Sequence, residues 1–332
     1  MHKFLIAFAL IWVAISAHAQ TKQNVSKTVH MVVWRGCEAA CQGFQRFFED
    51  RALPVNVIVT DIAKDKSKLP EVRAQLIKER PDLVVTWGTS VSVGIIGTLS
   101  EFGSKTALGD IPVLFMIVAD PIKSDIVESY EASGRPTLTG VRNRVPERVQ
   151  LNLMFSYMKP EKLGILFDPG ELNSRLNTQK LQAISDELDF EIEELAYSTN
   201  TDGTISTEQI PQRMADLKAL GVDAIYVGSS SFNLENRAAF TAAAISEGLP
   251  IFSAYAQMVE DGEGLMAVAN SYVNVGKMAA GRVNEILFDK RLPGEMEITS
   301  LSRFSVLVNM RAARALDLYP PLQLIEFASI VQ

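Results

Sequence analysis

Short apolar runs alternate with amphipathic segments along most of the 332-residue chain. Residues 82–87 (DLVVTW) and 112–118 (PVLFMIV) are apolar almost throughout, whereas residues 71–79 carry apolar side chains at helical spacing. Strands of a parallel sheet read as continuous apolar runs when helices cover both faces, because neither face then meets water. The alternation therefore predicts an α/β chain built on parallel sheets.

The alternation runs through two successive units of similar size, and the first crossing between them is predicted at residues 137–144. The C-terminal segment has too few strands for a third unit, so we expect it to return to the first unit and cross back. The predicted fold is two doubly wound parallel-sheet lobes joined by three hinge crossings. Lobe one comprises residues 28–140 and 270–296, and lobe two comprises residues 141–269 and 297–332.

Residues 1–19 have the pattern of a secretory signal peptide. Lys3 gives a positive start, residues 4–15 are apolar, and residues 17–19 (AHA) form a small-x-small cleavage site. Cleavage is expected after Ala19, with no cysteine there to carry a lipid anchor. An uncleaved anchor is the alternative, but the apolar run is short for a membrane span. No later run is long enough to insert into a membrane, so the mature protein is expected in the periplasm.

The chain has two cysteines, Cys37 and Cys41. The predicted export places them in an oxidising compartment, where a disulfide is chemically allowed. Four-residue spacing on a helix puts their Cα atoms near the upper end of the bridgeable range, so a bridge and two free thiols both remain open. His30 is the only histidine after the cleavage point, and there is no second cysteine pair, so no metal site is predicted.

Charge and motifs argue against several classes of function. The net charge of −7 disfavours nucleic acid and anionic membrane surfaces as partners. His30 begins a strand and offers no convincing base for a catalytic triad, and residues 88–92 (GTSVS) lack the second glycine of a nucleophile elbow. Neither a P-loop nor a dinucleotide fingerprint is present, so no catalytic residue and no cofactor is predicted.

Ligands of open parallel sheets bind beyond the carboxyl ends of the strands, and two facing lobes would place those ends around one cleft. The lobe-one candidates are Trp34, Arg35, Gly88, Thr89, Ser90 and Asp120. The segment 88–90 is a glycine and hydroxyl turn entering a helix, where backbone N–H groups would hold a carboxylate. The alternative is that Thr89 or Ser90 only caps its own helix.

The other lobe-one candidates also have two interpretations each. Trp34 would stack on a ligand ring or pack within its lobe. Arg35 would pair with an anion or lie on the surface. Asp120, before Pro121, would hold a ligand amine or form a turn. The lobe-two candidates are Asn173, Ser174, Ser229, Ser230, Ser231 and Tyr255, with Asn143 at a hinge. A solvated loop with a helix cap is the alternative for the serine run.

The motifs together resemble a known family. They are PDLVVTWGTS, IPVLFMIVADPI, the LTGV crossing, KPEKLGILFDPGELNS, VDAIYVGSSS, GLPIFSA, GLMAVANSYVNVGKMAAGRVNEIL and SVLVNMRAARAL. In this order they resemble the ABC-transporter substrate-binding proteins of the group that includes tryptophan-binding lipoproteins, with the type I periplasmic-binding fold. The first loop, WRGCEAACQGF, and the missing lipoprotein cysteine depart from that pattern.

The resemblance implies a ligand held between closing lobes, with an amino-acid-like ligand, often aromatic, favoured. The contacts it implies are Thr89, Ser90, Asp120, Asn173, Ser174, Ser230 and Ser231. We therefore predict a monomeric periplasmic component of an ABC importer that binds a small polar solute, an amino acid or related carboxylate, and presents it to an inner-membrane permease. A sensory module feeding a receptor kinase is the first alternative, and a secreted enzyme the second. The signal peptide and the lack of N-terminal DNA-binding helices disfavour a cytoplasmic repressor.

Overall fold

The computed structural model describes residues 26–332, and the predicted signal peptide lies outside them. The strands are β1 (Lys27–Val33), β2 (Val55–Asp61), β3 (Leu83–Trp87), β4 (Val113–Val118), β5 (Leu138–Arg142), β6 (Lys162–Phe167), β7 (Glu191–Ala196), β8 (Ala224–Val227), β9 (Ile251–Ser253), β10 (Met266–Ala269), β11 (Thr299–Ser300), β12 (Ser305–Asn309) and β13 (Ser329–Val331). The helices are α1 (Ala39–Glu49), α2 (Leu69–Glu79), α3 (Thr89–Ile96), α4 (Leu99–Phe102), α5 (Glu147–Tyr157), α6 (Leu172–Leu188), α7 (Gln209–Ala219), α8 (Ser231–Glu235), α9 (Arg237–Ser246), α10 (Gln257–Glu260), α11 (Tyr272–Leu287), α12 (Met310–Ala315) and α13 (Leu322–Ile325).

These strands form two sheets, one in each lobe. The first has the order β2-β1-β3-β4-β5-β11, and the second β7-β6-β8-β9-β10-β12-β13. Every residue of β3 and β4 is buried, as expected for strands covered on both faces. The predicted fold of two parallel-sheet lobes is confirmed, with one difference. Strand β12 runs antiparallel to β10, so the second sheet is mixed toward one edge.

The chain passes between the sheets three times. It leaves the first sheet after β5, returns after β10, and leaves again after β11. Strand β5 ends at Arg142, so the first crossing follows residue 142 and not residue 140. Strand β11 pairs with β5 in the first sheet, so the last crossing follows Ser300 and not residue 296, where the sequence placed the end of lobe one. The strand is only two residues long and half-buried, so it left no apolar run for a pattern to detect.

Helix α11 covers the first sheet although the chain enters it directly from the second. It packs against α1 at two glycines, Gly43 and Gly276. A Cβ on Gly276 would overlap the Ala40 carbonyl, and one on Gly43 would overlap the Val273 carbonyl. The two backbones therefore meet directly, which fixes where the second hinge re-enters the first lobe.

A disulfide joins Cys37, just before α1, to the buried Cys41 in its first turn, with the Cα atoms 5.1 Å apart. Because the bridge spans only four positions, its loop-closure contribution is small, about 2 kcal/mol. We expect Cys37→Ala with Cys41→Ala to lower the free energy of unfolding in urea by about that amount. A loss of more than about 4 kcal/mol would show that the bridge supports more than its own turn. Wild-type protein under reducing agent is the matched control.

Candidate functional site

The order of the strands determines where a cleft can form. In each sheet the chain begins on an inner strand, adds the next strand on one side of it, and then adds the following strands on the other side. The direction of strand order therefore reverses between β1 and β3 in the first sheet and between β6 and β8 in the second. Crevices open at such switch points, beyond the carboxyl ends of the strands. A cavity of about 480 Å³, its mouth included, lies between the two switch points. Small-molecule sites concentrate in clefts at such positions.

Most of the predicted contact residues line this cavity. They are Trp34, Arg35, Gly88, Thr89, Ser90, Asn143, Asn173, Ser229, Ser231 and Tyr255. They come from both lobes and from the first hinge, because the carboxyl ends of neighbouring parallel strands share one edge of each sheet. The structure therefore brings together at one place residues that lie more than two hundred positions apart.

Asp120, Ser174 and Ser230 do not line the cavity. The Asp120 carboxylate accepts a hydrogen bond from the Lys123 amide at 3.1 Å, so it forms the turn that was its alternative interpretation. The Ser174 hydroxyl, in the first turn of α6, accepts a hydrogen bond from the Asp168 amide at 3.2 Å. The Ser230 hydroxyl accepts from the Asn233 amide and caps α8. Each side chain satisfies local backbone groups.

Six further lining residues were not predicted from the sequence. They are Trp87, Ile117, Ala119, Arg144, Glu171 and Tyr272. Arg144 directly follows the hinge candidate Asn143. Glu171 lies in the loop after β6, two residues before the predicted contact Asn173. Tyr272 begins α11 and reaches the cavity only because that helix returns to the first lobe.

Ile117 has a backbone conformation that is rare for its residue type. Its φ is +57°, in the left-handed region that β-branched residues normally avoid. The pairing of β4 with β5 shifts register at this position, between Met116 and Val118. The irregularity redirects the end of β4 toward the cavity. Strain of this kind concentrates at functional sites.

The N-terminus of α3 faces the cavity without a side-chain cap. Gly88 is the N-cap residue, at φ +95°, and no side chain accepts a hydrogen bond from the first turn there. The Thr89 hydroxyl is buried and has no partner among residues 26–332. The first N–H groups of a helix have no acceptor within the helix. The turn thus presents donors to the cavity, and the structure does not show the self-capping alternative.

Replacing Thr89 by valine tests whether that hydroxyl serves a ligand. Valine keeps the shape and removes a hydroxyl that has no partner, so we expect the melting temperature of the ligand-free protein to stay the same or rise. Ligand affinity should fall by about three- to tenfold, the value of one neutral hydrogen bond. Thr137→Val, at a half-buried site outside the cavity, is the control. Unchanged affinity would exclude Thr89 from the contact set.

Arg144 is a buried cation that lines the cavity. Its guanidinium donates to the Gly228 carbonyl at 2.5 Å and to the Ser229 hydroxyl. Its Nη1 lies 3.6 Å from Glu147, which a second cation, Lys180, approaches to 2.7 Å. Burial opposes ionisation of Glu147, but the two cations outweigh it and lower its pKa. Since one carboxylate is shared by two cations, positive charge remains on this side.

The guanidinium of Arg144 also has unused donors. Within the described part of the chain, Nε and Nη1 are buried and make no hydrogen bond. A buried donor without a partner costs free energy, and a buried cation costs more. An acceptor on a bound molecule would remove that cost. Arg144 is therefore the strongest candidate for binding an anionic group.

Glu171 supplies the opposite charge from lobe two and is 8% exposed. Its carboxylate accepts hydrogen bonds from the Ser231 amide at 2.8 Å and the Ser231 hydroxyl at 2.6 Å. Burial raises the pKa of Glu171, and the nearby Asp168 carboxylate raises it further. A carboxylate held in this way is suited to a cationic partner that restores its ionised form.

Four aromatic side chains line the same cavity as the charged groups: Trp34, Trp87, Tyr255 and Tyr272. The two tyrosine rings meet edge to face with centroids 6.5 Å apart. Asn143 donates to the Tyr272 hydroxyl at 3.1 Å, which fixes that ring against the hinge. The indole N–H groups of both tryptophans are buried without a partner in residues 26–332. These aromatic side chains can stack on the ring of a ligand, and the two indole N–H groups can donate hydrogen bonds to its polar atoms.

Arg35 lies at the edge of the aromatic walls. Its guanidinium stands 5.7 Å from the centroid of the Trp87 ring, and its Nε donates to Glu38 at 2.8 Å. The structure thus places Arg35 in the cavity wall. There it forms an ion pair with Glu38 of its own loop. Its Nε is hydrogen-bonded, whereas the Nε of Arg144 has no partner among residues 26–332.

The family assignment agrees with this architecture. The model of a family described as ABC transporter substrate binding protein matches residues 30–331. The chain belongs to this family. The resemblance found in the sequence motifs is therefore confirmed at the level of the family.

Relatives of known structure or curated function extend over most of the chain. A tyrosine-binding protein of Clostridioides difficile (strain R20291) is 21% identical over 286 residues, which are 85% of this chain and 77% of that protein. An ABC domain in complex with L-Trp from Streptococcus pneumoniae has a TM-score of 0.78 at 20% identity, covering 92% of this chain and 100% of that one. The ligand-free, open structure of a substrate binding protein with adhesive properties from Clostridium difficile has a TM-score of 0.69 at 18% identity, covering 92% and 99%. These structures share the fold of this ABC transporter substrate binding protein.

Two further observations concern only residues 26–332. No helix in that range has both the length and the apolar character needed to cross a bilayer. No group of three or more histidine, cysteine, aspartate or glutamate side chains in the same range is placed to hold a metal ion.

Proposed function

We propose that this protein binds the zwitterion of an aromatic amino acid between its lobes and delivers it from the periplasm to the permease of an ABC importer. One observation carries the proposal. The interlobe cavity sets a guanidinium with unused donors and a buried carboxylate among four aromatic rings. A free amino acid with a ring side chain has the matching three parts: a carboxylate, an ammonium and an aromatic surface.

Each part of the ligand has a partner in this arrangement. The α-carboxylate accepts from Arg144 and from the donors at the start of α3. The ammonium lies against Glu171, whose two oxygens are already oriented by Ser231. The ring packs among the tryptophans and tyrosines. The α3 donors belong to lobe one and Glu171 to lobe two, so one ligand contacts both lobes and favours their closure.

Two relatives support this ligand class. One is named for binding tyrosine, and the other was solved in complex with L-Trp. Export to the periplasm rests on the signal peptide pattern of residues 1–19. We place lobe one at residues 27–142 and 270–300, and lobe two at 143–269 and 301–332, because β5 and β11 both lie in the first sheet.

A thermal-shift screen of the mature protein, residues 20–332, tests the ligand class. The protein is unfolded, dialysed and refolded first, so that no ligand is carried over. Ligand at one hundred times its dissociation constant stabilises the folded state by about 2.7 kcal/mol. We expect L-tryptophan, L-tyrosine or L-phenylalanine to raise the melting temperature, and sugars and nucleosides to have no effect. A response to sugars or nucleosides alone would contradict the proposal.

Transport is tested separately. Uptake of the radiolabelled ligand into vesicles that contain the permease and its ATPase should require the binding protein. Binding without stimulated uptake would instead favour the sensory alternative, in which the closed form signals to a receptor kinase.

A further inference from the structure

The two lobes contact each other through charged groups at the mouth of the cleft, outside the ligand cavity. Glu235, at the end of α8 in lobe two, lies 2.8 Å from the Lys64 ammonium and 3.7 Å from the Arg35 guanidinium, both in lobe one. Beside this group, Lys66 of lobe one donates to the Gly170 carbonyl of lobe two at 3.1 Å. In these contacts the cations belong to lobe one and the acceptors to lobe two. We call Glu235, Lys64 and Arg35 the clasp.

The backbone of lobe one holds Lys64 in place. Ala63 and Lys64 are both left-handed, with φ of +51° and +64°. Successive non-glycine residues in this region are unusual and need support from their surroundings. Here the Asp61 carboxylate accepts from the Ala63 amide at 2.8 Å, and the Lys64 amide donates to the Trp34 carbonyl at 2.7 Å. The loop therefore presents the Lys64 side chain from the same backbone that carries Trp34.

The clasp is also joined to the cavity wall. Arg35 meets Glu235 on one side and stands over the Trp87 ring on the other. Glu235 itself does not line the ligand cavity; together with Lys64 and Lys66 it lines an adjoining cavity that shares Trp34, Glu171 and Ser231 with the ligand cavity. For a ligand seated in the inner cavity, Glu235 acts through lobe closure and the position of Arg35.

We propose that Glu235 is an affinity-determining residue that acts without touching the ligand, by holding the lobes together through Lys64 and Arg35. A ligand that needs the closed form binds with an apparent affinity proportional to the closed fraction. The clasp raises that fraction before the ligand arrives. Because Glu235 and Lys64 are partly exposed, salt screens the interaction, so the closed fraction falls as ionic strength rises.

The distance between the lobes in the ligand-free protein tests this proposal independently of the ligand. Spin labels on Lys78→Cys in α2 and Lys218→Cys in α7 report the distance between the lobes by double electron–electron resonance. The native cysteines form a disulfide, so they do not take up the label. We compare the parent with Glu235→Gln and Lys64→Met. Asp261→Asn is the matched control, because it removes an ion pair with Arg237 at 3.2 Å that lies wholly within lobe two.

Glu235→Gln and Lys64→Met should each shift the population toward longer distances, and the double variant should add little to either. Raising the salt concentration should produce the same shift in the parent and in Asp261→Asn, and little further shift in Glu235→Gln. Asp261→Asn should match the parent. Once a ligand is known, Glu235→Gln should weaken its binding by about fivefold, mainly through faster dissociation. Unchanged distances in both clasp variants, or an equal shift in Asp261→Asn, would overturn the proposal whatever the ligand is.

Discussion

An Arg144→Met variant is expected to bind L-tryptophan, or the aromatic amino acid found in the screen, at least about 30-fold more weakly than wild type. Removing one partner of a buried charged pair costs about 2–5 kcal/mol, and 2 kcal/mol is about 30-fold in affinity. The variant removes the donors that Nε and Nη1 offer to the ligand carboxylate. Isothermal titration calorimetry measures the loss directly.

A decarboxylated analogue shows whether the lost interaction is the one with the carboxylate. Wild type should prefer L-tryptophan to tryptamine strongly, and Arg144→Met should lose most of that preference. Glu147 keeps Lys180 as a partner at 2.7 Å, so the variant is not left with an isolated buried carboxylate. Arg148→Met, in an exposed ion pair with Glu187, is the control. If Arg144→Met stays folded and keeps its preference for L-tryptophan, Arg144 does not bind the carboxylate.

Glu171→Gln is expected to produce a loss of similar size, at least about 30-fold, through the ligand ammonium. Glutamine keeps the shape of the side chain and one acceptor for Ser231, but it removes the negative charge. The variant should also lose the preference for L-tryptophan over indole-3-propionate, which lacks the amine. Glu194→Gln on the exposed edge strand β7 is the control.

The same residue predicts how affinity depends on pH. Burial raises the pKa of Glu171 in the ligand-free protein, and a bound ammonium favours the ionised carboxylate and lowers that pKa. Binding therefore releases a proton between the two values, and affinity rises with pH through that window. Above the raised pKa the affinity levels off. Glu171→Gln should flatten this profile, and a variant with the wild-type profile would show that another group is responsible.

Much of the cavity was predictable because parallel sheets converge at their carboxyl ends. Trp34 follows β1, Gly88 follows β3, and Ser229 follows β8, and all three line the cavity. Strand identity was readable from the apolar runs, so the residues after each strand could be chosen without knowing the strand order. The glycine and hydroxyl turn at α3 then pointed to donors.

The two charged residues that matter most were not identified from the sequence. Arg144 and Glu171 lie in loops, and only the packing of the lobes shows that both are buried and face one cavity. Ile117 reaches the cavity through a register shift that no sequence pattern indicates. Asp120 is a carboxylate that follows a strand, as a ligand contact would be, but it accepts a hydrogen bond from the Lys123 amide and forms a local turn.

The central claim is that Arg144 and Glu171 bind the two charged groups of a single ligand. Titration of refolded, ligand-free protein with three related compounds tests this claim most directly. L-tryptophan carries both charged groups, tryptamine lacks the carboxylate, and indole-3-propionate lacks the amine. The arrangement of Arg144, Glu171 and the aromatic walls predicts that the amino acid binds at least about 30-fold more tightly than either analogue. Equal binding of all three compounds would show that the cavity recognises only the aromatic ring, and would contradict the roles of Arg144 and Glu171.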